Sequence, residues 1–224
     1  MLRIYKIDFD VNNLPNIRED DDRYKSDDHT YDFMGKSLKD SWLDYNYYVT
    51  NPKRKHKDFN KLHNIGSFVL NKNAFYILES YLPSFGEFLP FKVEGAPDLH
   101  LFNLTAKCDC IDTHKTVYEA WFEHKTEGSV TEMITGLKNV PSNSYDQYLD
   151  RIFLDISKID KPLFLINDHS GWCHGPFCTS GLLPEDEEFY HICINNKLQG
   201  IQFFEIDYMK PDGMKKNYEF LPWK

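Results

Sequence analysis

The chain has 224 residues and a mass of 26.6 kDa, long enough to bury a substantial core as one domain or as one domain with two lobes. A formal charge of −9 and a pI near 5.4 disfavour nucleic acid as a partner, since its phosphates require a clustered positive field; they suit a cationic partner or simple solubility. No apolar run approaches the roughly 20 residues that cross a bilayer, and the opening MLRIYKIDFD meets charge too early for a signal peptide, so a cytoplasmic protein is predicted.

Leu2–Asp8 alternates apolar and polar side chains as a half-buried strand does, and Asn12, Asn13 and Pro15 break it. A polar loop is predicted from there to about Met34. Residues 1–34 carry nine acids against five bases, which implies an exposed acidic loop. Between Lys36 and Val49 the residues Leu38, Trp42, Leu43, Tyr45, Tyr47 and Tyr48 fit a short helix running into a strand, ended by Asn51-Pro52. The basic run Lys53–Lys57 reads as a solvated loop in so acidic a chain.

Ser67–Leu82 predicts a strand followed by an amphipathic helix. Over Asn71–Leu82, Ala74, Phe75, Leu78, Tyr81 and Leu82 fall at helical spacing, with Asn71 suited to cap the start and Pro83 to stop the end. Phe85–Val93 and Leu99–Thr105 are rich in aromatic and branched residues and flank a Gly95–Asp98 turn, so they predict a hairpin in the central sheet. Another strand is predicted near Thr116–Glu123, while Lys125–Asn143 has no firm periodicity and reads as a connection between lobes. Arg151–Ser157 alternates again, and Pro162–Ile166 is a continuous apolar run fit for a strand buried on both faces. Asn167–Pro184 reads as a loop rich in Gly, Ser and Cys. Glu185–Lys197 predicts a helix, with Glu185, Asp186, Glu187 and Glu188 crowding the first turn and Gly200 ending it before a last strand, Ile201–Asp207.

The residues that could carry chemistry form no familiar pattern. Five cysteines, Cys108, Cys110, Cys173, Cys178 and Cys193, are an odd number and suit reduced thiols. A zinc site from Cys108, Cys110 and His114 with Cys173, His174, Cys178, His191 or Cys193 has the wrong spacing, and Cys108 and Cys110 on one strand face read as small core residues. No metal is expected. A thiol or metal hydrolase would centre on 168–178, where Asp168, His169, Ser170, Cys173 and His174 crowd together, although adjacent Cys173 and His174 are poorly placed to bond each other. No G-x-S-x-G, P-loop, H-E-x-x-H or G-x-G-x-x-G pattern accompanies them. Aromatic residues make up 16% of the chain, and Tyr24, Tyr31, Tyr47, Tyr48, Tyr118, Tyr145, Tyr148 and Trp172 read as loop residues that either roof the core or serve an interface.

Asp58-Phe59, Val69–Leu82, Glu87-Phe88-Leu89-Pro90, Leu101–Asp112, Ile152-Phe153, Leu163–Asp168 and Leu198-Gly200-Ile201-Phe203 follow an order that resembles the polymorphic-toxin immunity proteins of numbered family eleven, formerly a domain of unknown function. The resemblance covers roughly residues 58–116 and 151–207 and consists mainly of hydrophobic and turn signals. It implies a single-chain α+β protein; with the elements above, the expected fold is α+β, a mixed, mostly antiparallel sheet with a few helices, as one domain or as lobes of about 1–124 and 144–224. It also implies a cytoplasmic inhibitor, without cofactor or catalysis, that occludes the active site of a cognate toxin encoded next door. A basic toxin would meet acidic loops. The expected contacts are Asp20, Asp21, Asp22, Tyr24, Asp27, Asp28 and Tyr31 in the N-terminal loop, and Trp172. A hydrolase centred on 168–178 and a self-assembling scaffold subunit are the competing classes.

Overall fold

The computed structural model describes residues 1–9, 17–19, 33–42, 46–51, 53–60, 62, 66–96, 98–124, 128–141, 146–167 and 173–206. Strands β1 (Arg3–Phe9), β2 (Ile17–Glu19), β3 (Asn46–Val49), β4 (Phe59–Asn60) and β5 (Ser67–Leu70) lead into helix α1 (Lys72–Leu78). Strands β6 (Gly86–Leu89), β7 (Lys92–Glu94), β8 (His100–Leu104) and β9 (Lys107–Cys108) follow. Next come β10 (Val117–His124), β11 (Gly128–Thr135), β12 (Asp146–Arg151), β13 (Leu163–Asn167) and β14 (Cys173–Ser180), and then α2 (Phe189–Asn195) and β15 (Ile201–Glu205).

These strands form four sheets, ordered β15-β1-β14-β13-β9, β4-β5-β8-β6, β11-β10-β12 and β2-β3-β7. Every pairing is antiparallel except β13 with β9 and β3 with β7, so the fold is α+β and mostly antiparallel. Among the described residues no helix is long and apolar enough to cross a membrane.

Period-two alternation explains how the two larger sheets are covered on both faces. On β1, Tyr5, Ile7 and Phe9 join one core cluster while Ile4 joins another. On β13, Leu163 and Leu165 face the first cluster, and Phe164 and Ile166 face the other. On the four-stranded sheet, Phe68 and Leu70 of β5 enter the same first cluster, whereas Val69 packs with Tyr47, Leu89, Val93 and Leu101 on the opposite face. The shared cluster is therefore the centre of the molecule, and it is built from rings. Phe68 stacks on Phe102 and Phe189 with centroids 6.0 and 5.7 Å away, and Phe59 meets both Phe68 and Phe189 edge-on.

Asn71 caps α1 as its sequence position predicts, accepting the Ala74 N–H through Oδ1 at 2.9 Å. The helix is shorter than the apolar spacing suggests: it stops at Leu78, and Leu82–Ser84, containing Pro83, is a separate 3₁₀ turn. Pro90 lies between β6 and β7, which belong to different sheets, so Phe85–Val93 is two strands and only β6 pairs with β8. Within 125–143, read as a connection without firm periodicity, the described residues include the strand β11, which pairs along its length with β10, itself also paired with β12. Arg151–Ser157 alternates because Ile152 and Leu154 are buried, but β12 ends at Arg151 and Ile156–Lys158 is a 3₁₀ turn. The Cys-rich stretch read as a loop contains β14, a central strand that pairs on one edge with β13, the strand just before it in the chain, and on the other with the sequence-distant β1. Between Lys36 and Val49, β3 forms, and the described residues before it make turns in place of a helix.

Gly200 serves a different purpose from the one its position suggests. Helix α2 ends at Asn195, and Lys197 takes the left-handed conformation with φ 54°. Gly200 has φ +90° and lies against β4, where a Cβ would stand 2.1 Å from the Phe59 carbonyl oxygen.

Candidate functional site

Asp20, Asp21, Asp22, Tyr24, Asp27, Asp28, Tyr31 and Trp172 all lie outside the described residues, as does the polar run 168–172. Other aromatic residues assigned to loops do not. Tyr47 and Tyr48 are in β3 and Tyr118 is in β10, where Tyr47 and Tyr118 are buried core residues and Tyr48 is exposed. Burying a tyrosine ring removes a large apolar area from water, and sequence alternation alone does not separate that use from an interface one.

The motif residues of the resemblance act as structural ties. Asp58 holds three elements together: its Oδ1 accepts from Asn71 Nδ2 at 3.2 Å and Asn73 Nδ2 at 2.9 Å, and its Oδ2 accepts from the Gln199 N–H at 2.8 Å. Glu87 fastens the segment before β3 onto the four-stranded sheet. Its Oε1 accepts from the Leu38 N–H at 2.6 Å and Asn103 Nδ2 at 2.9 Å, and its Oε2 accepts from Ser37 Oγ at 2.8 Å. Burial pushes the Glu87 carboxyl upward, but the Leu38, Asn103 and Ser37 bonds outweigh it and hold the group below its ordinary value.

The thiols are core residues. All five cysteines are free and buried, and Cys173 Sγ donates to the Met34 carbonyl at 3.3 Å. Burial pushes the Cys178 and Cys193 thiols well above their usual range, which disfavours the nucleophilic thiolate. Cys108 and Cys110 pack in the cluster with Phe164 and Ile166, as their alternating positions predict. Among the described residues no three His, Cys, Asp or Glu side chains converge as metal donors.

A further cluster joins Glu188, which the sequence offers as a helix-end charge, to His191, which it offers only as a metal donor. Glu188 is fully buried. Its Oε1 accepts from the Leu182 and Leu183 N–H groups at 2.8 and 3.2 Å and from Thr179 Oγ1 at 3.3 Å, while Oε2 accepts from the Gly181 N–H at 2.8 Å. Ser180 Oγ and His191 Nε2 share a hydrogen bond at 2.9 Å, and that same nitrogen is 3.5 Å from Glu188 Oε2. A Ser-His-acid relay needs the acid on the other ring nitrogen and the serine free to attack, so this trio locks a turn and is not a relay. The signal available in the sequence was one acid among four that immediately precedes an apolar helix start.

The described surface includes a groove suited to holding another molecule. A groove of about 710 Å3 opens between the α1 end with its following 3₁₀ turn and the segment from Leu183 into α2. Ile77, Tyr81, Phe85, Leu183 and Ile192 give it an apolar floor, and Glu185, Asp186 and Glu187 stand along one side. An open trough with apolar lining and carboxylates beside it can grip a chain segment. No protein-family model matches the chain, and no curated protein matches it.

Proposed function

We propose that this chain is a cytoplasmic immunity protein that binds a cognate bacterial toxin and neutralises it by covering the toxin's active site. The observation that carries this reading is the block from Asp58 to Asp112. Its resemblance to the immunity family is drawn on hydrophobic and turn signals, and its distinctive polar residues, Asp58 and Glu87, are consumed in holding strands and turns together. Inhibition by contact asks for this kind of chain, with a stiff scaffold and its recognition on surface loops. A net charge of −9 further suits a basic toxin, whose approach an acidic surface accelerates. The competing thiol hydrolase is weakened by its own nucleophiles, since Cys173 and Cys178 lie in the core with exposures of 2% and 0%.

The test is co-expression with the variable C-terminal domain of a large secreted protein encoded beside this one. Rescue of growth by this chain, and formation of a stable complex with that domain, are the expected results; turnover of a small molecule by the purified chain would overturn the proposal. Reversing charge at Asp20, Asp21 and Asp22 together is expected to weaken toxin binding without loss of stability. Unchanged affinity by calorimetry would remove that loop from the interface.

A further inference from the structure

We infer that the groove between α1 and α2 is a docking site for a basic segment of a partner protein, one with an aliphatic or aromatic side chain flanked by lysine or arginine; as a toxin contact, this rests on the binding function proposed above. The floor is apolar but only partly covered. Ile77, Tyr81, Phe85 and Ile192 are half-buried side chains packed on the central core, and Leu183 remains 39% exposed. Such a surface gains by excluding water, and its volume lies in the range that protein pockets offer to ligands.

The charge specifies the occupant. Glu185, Asp186 and Glu187 follow one another on an exposed 3₁₀ turn, and among the described residues no lysine or arginine lines the groove. Ser80, Ser84, Asn195 and Asn196 complete the lining with neutral polar groups. A second copy of this chain, at −9, is repelled, as are nucleic acid and an anionic membrane. A cationic segment is attracted by all three carboxylates, and an apolar anchor between its charges reaches the floor that lies beside them. The carboxylates are exposed, so they are free to engage a partner without weakening the fold. The buried acid next in sequence, Glu188, does the structural work of the turn.

The experiment selects binders to the full chain from a displayed library of random short peptides and measures the enriched peptides by calorimetry and by amide chemical shifts. Enriched sequences are expected to place Lys or Arg around a hydrophobic anchor. They should shift residues of 77–85 and 183–196, and should bind E185Q/D186N/E187Q about tenfold more weakly, with the loss shrinking at high salt. Neutral or acidic winners, no enrichment, shifts elsewhere, or equal affinity for the triple variant would each overturn the inference. The triple variant also separates this inference from the function. If it loses peptide binding yet still rescues cells from the toxin, the groove is not the toxin contact and immunity stands. If the wild-type chain binds basic peptides but protects against no toxin, the groove stands and the immunity function falls.

Discussion

Replacing Glu188 with alanine should be among the most damaging single changes in the described chain. The carboxylate is completely enclosed and accepts three backbone N–H groups, from Gly181, Leu182 and Leu183, together with the Thr179 hydroxyl. Hydrogen bonds to a charged acceptor contribute about 1.5–3 kcal/mol each when measured singly. Simple addition overstates the total, because water reaches part of the turn once the side chain is gone. A loss of about 3–5 kcal/mol is expected, comparable with breaking a buried charged pair and a large fraction of a typical domain's 5–15 kcal/mol. E188Q keeps one acceptor but turns an NH2 toward backbone donors, so it should lose about half as much. The assay is urea unfolding followed by tryptophan fluorescence, with an unchanged m-value to show that the unfolded states are comparable. The exposed neighbour E185Q is the control and should stay within about 0.5 kcal/mol of the parent. A loss below about 1 kcal/mol for E188A would refute the turn-locking role.

Gly200→Ala meets both a left-handed backbone and the Phe59 carbonyl, and should cost about 2–3 kcal/mol; Gly95→Ala, with φ +79° and nothing within 4 Å, should cost about 1, so equal losses in urea unfolding would show that the close approach is unimportant. Ellman's reagent should label none of the five cysteines in the folded chain within minutes and all five in denaturant, and a fast-reacting thiol under native conditions would contradict their burial. Because the Glu87 carboxyl is held below its usual 4.5, its contribution to stability is complete above that value and lost as pH falls through the lower folded one. The difference in urea midpoint between the parent and E87Q should therefore narrow on acidification from neutral pH, and a constant difference would mean that the ionised form is not the one being held.

Local patterns with one strong cause were legible in the sequence. Asn71 before Ala74 and Leu78 announced a capped helix, Pro162–Ile166 a doubly buried strand, and Ile201 onward a last strand, because each depends on its own neighbours. What escaped depends on distant partners. Cys173–Ser180 contains Gly175 and Pro176, residues that favour a loop, and becomes a central strand because β1, from the other end of the described chain, pairs with the edge that β13 leaves open. Glu188 looked like a surface charge until the preceding turn folded over it. The groove was invisible for the same reason: its two walls are separated by about a hundred residues of sequence, and neither is distinctive alone. The partner contacts expected from composition, Asp20 to Tyr31 and Trp172, lie outside the described residues.

The position of β1 sets a timetable for the making of this protein. It is synthesised long before either of its neighbours: Arg3 pairs with Ser180, and Phe9 with Ile201. At about 5–20 residues per second, the apolar side of β1 waits roughly ten to forty seconds before either edge is covered. Tyr5, Ile7 and Phe9 are therefore the natural client site for a chaperone on the nascent chain, and a message cut short before β15 would yield a product that can never close its largest sheet.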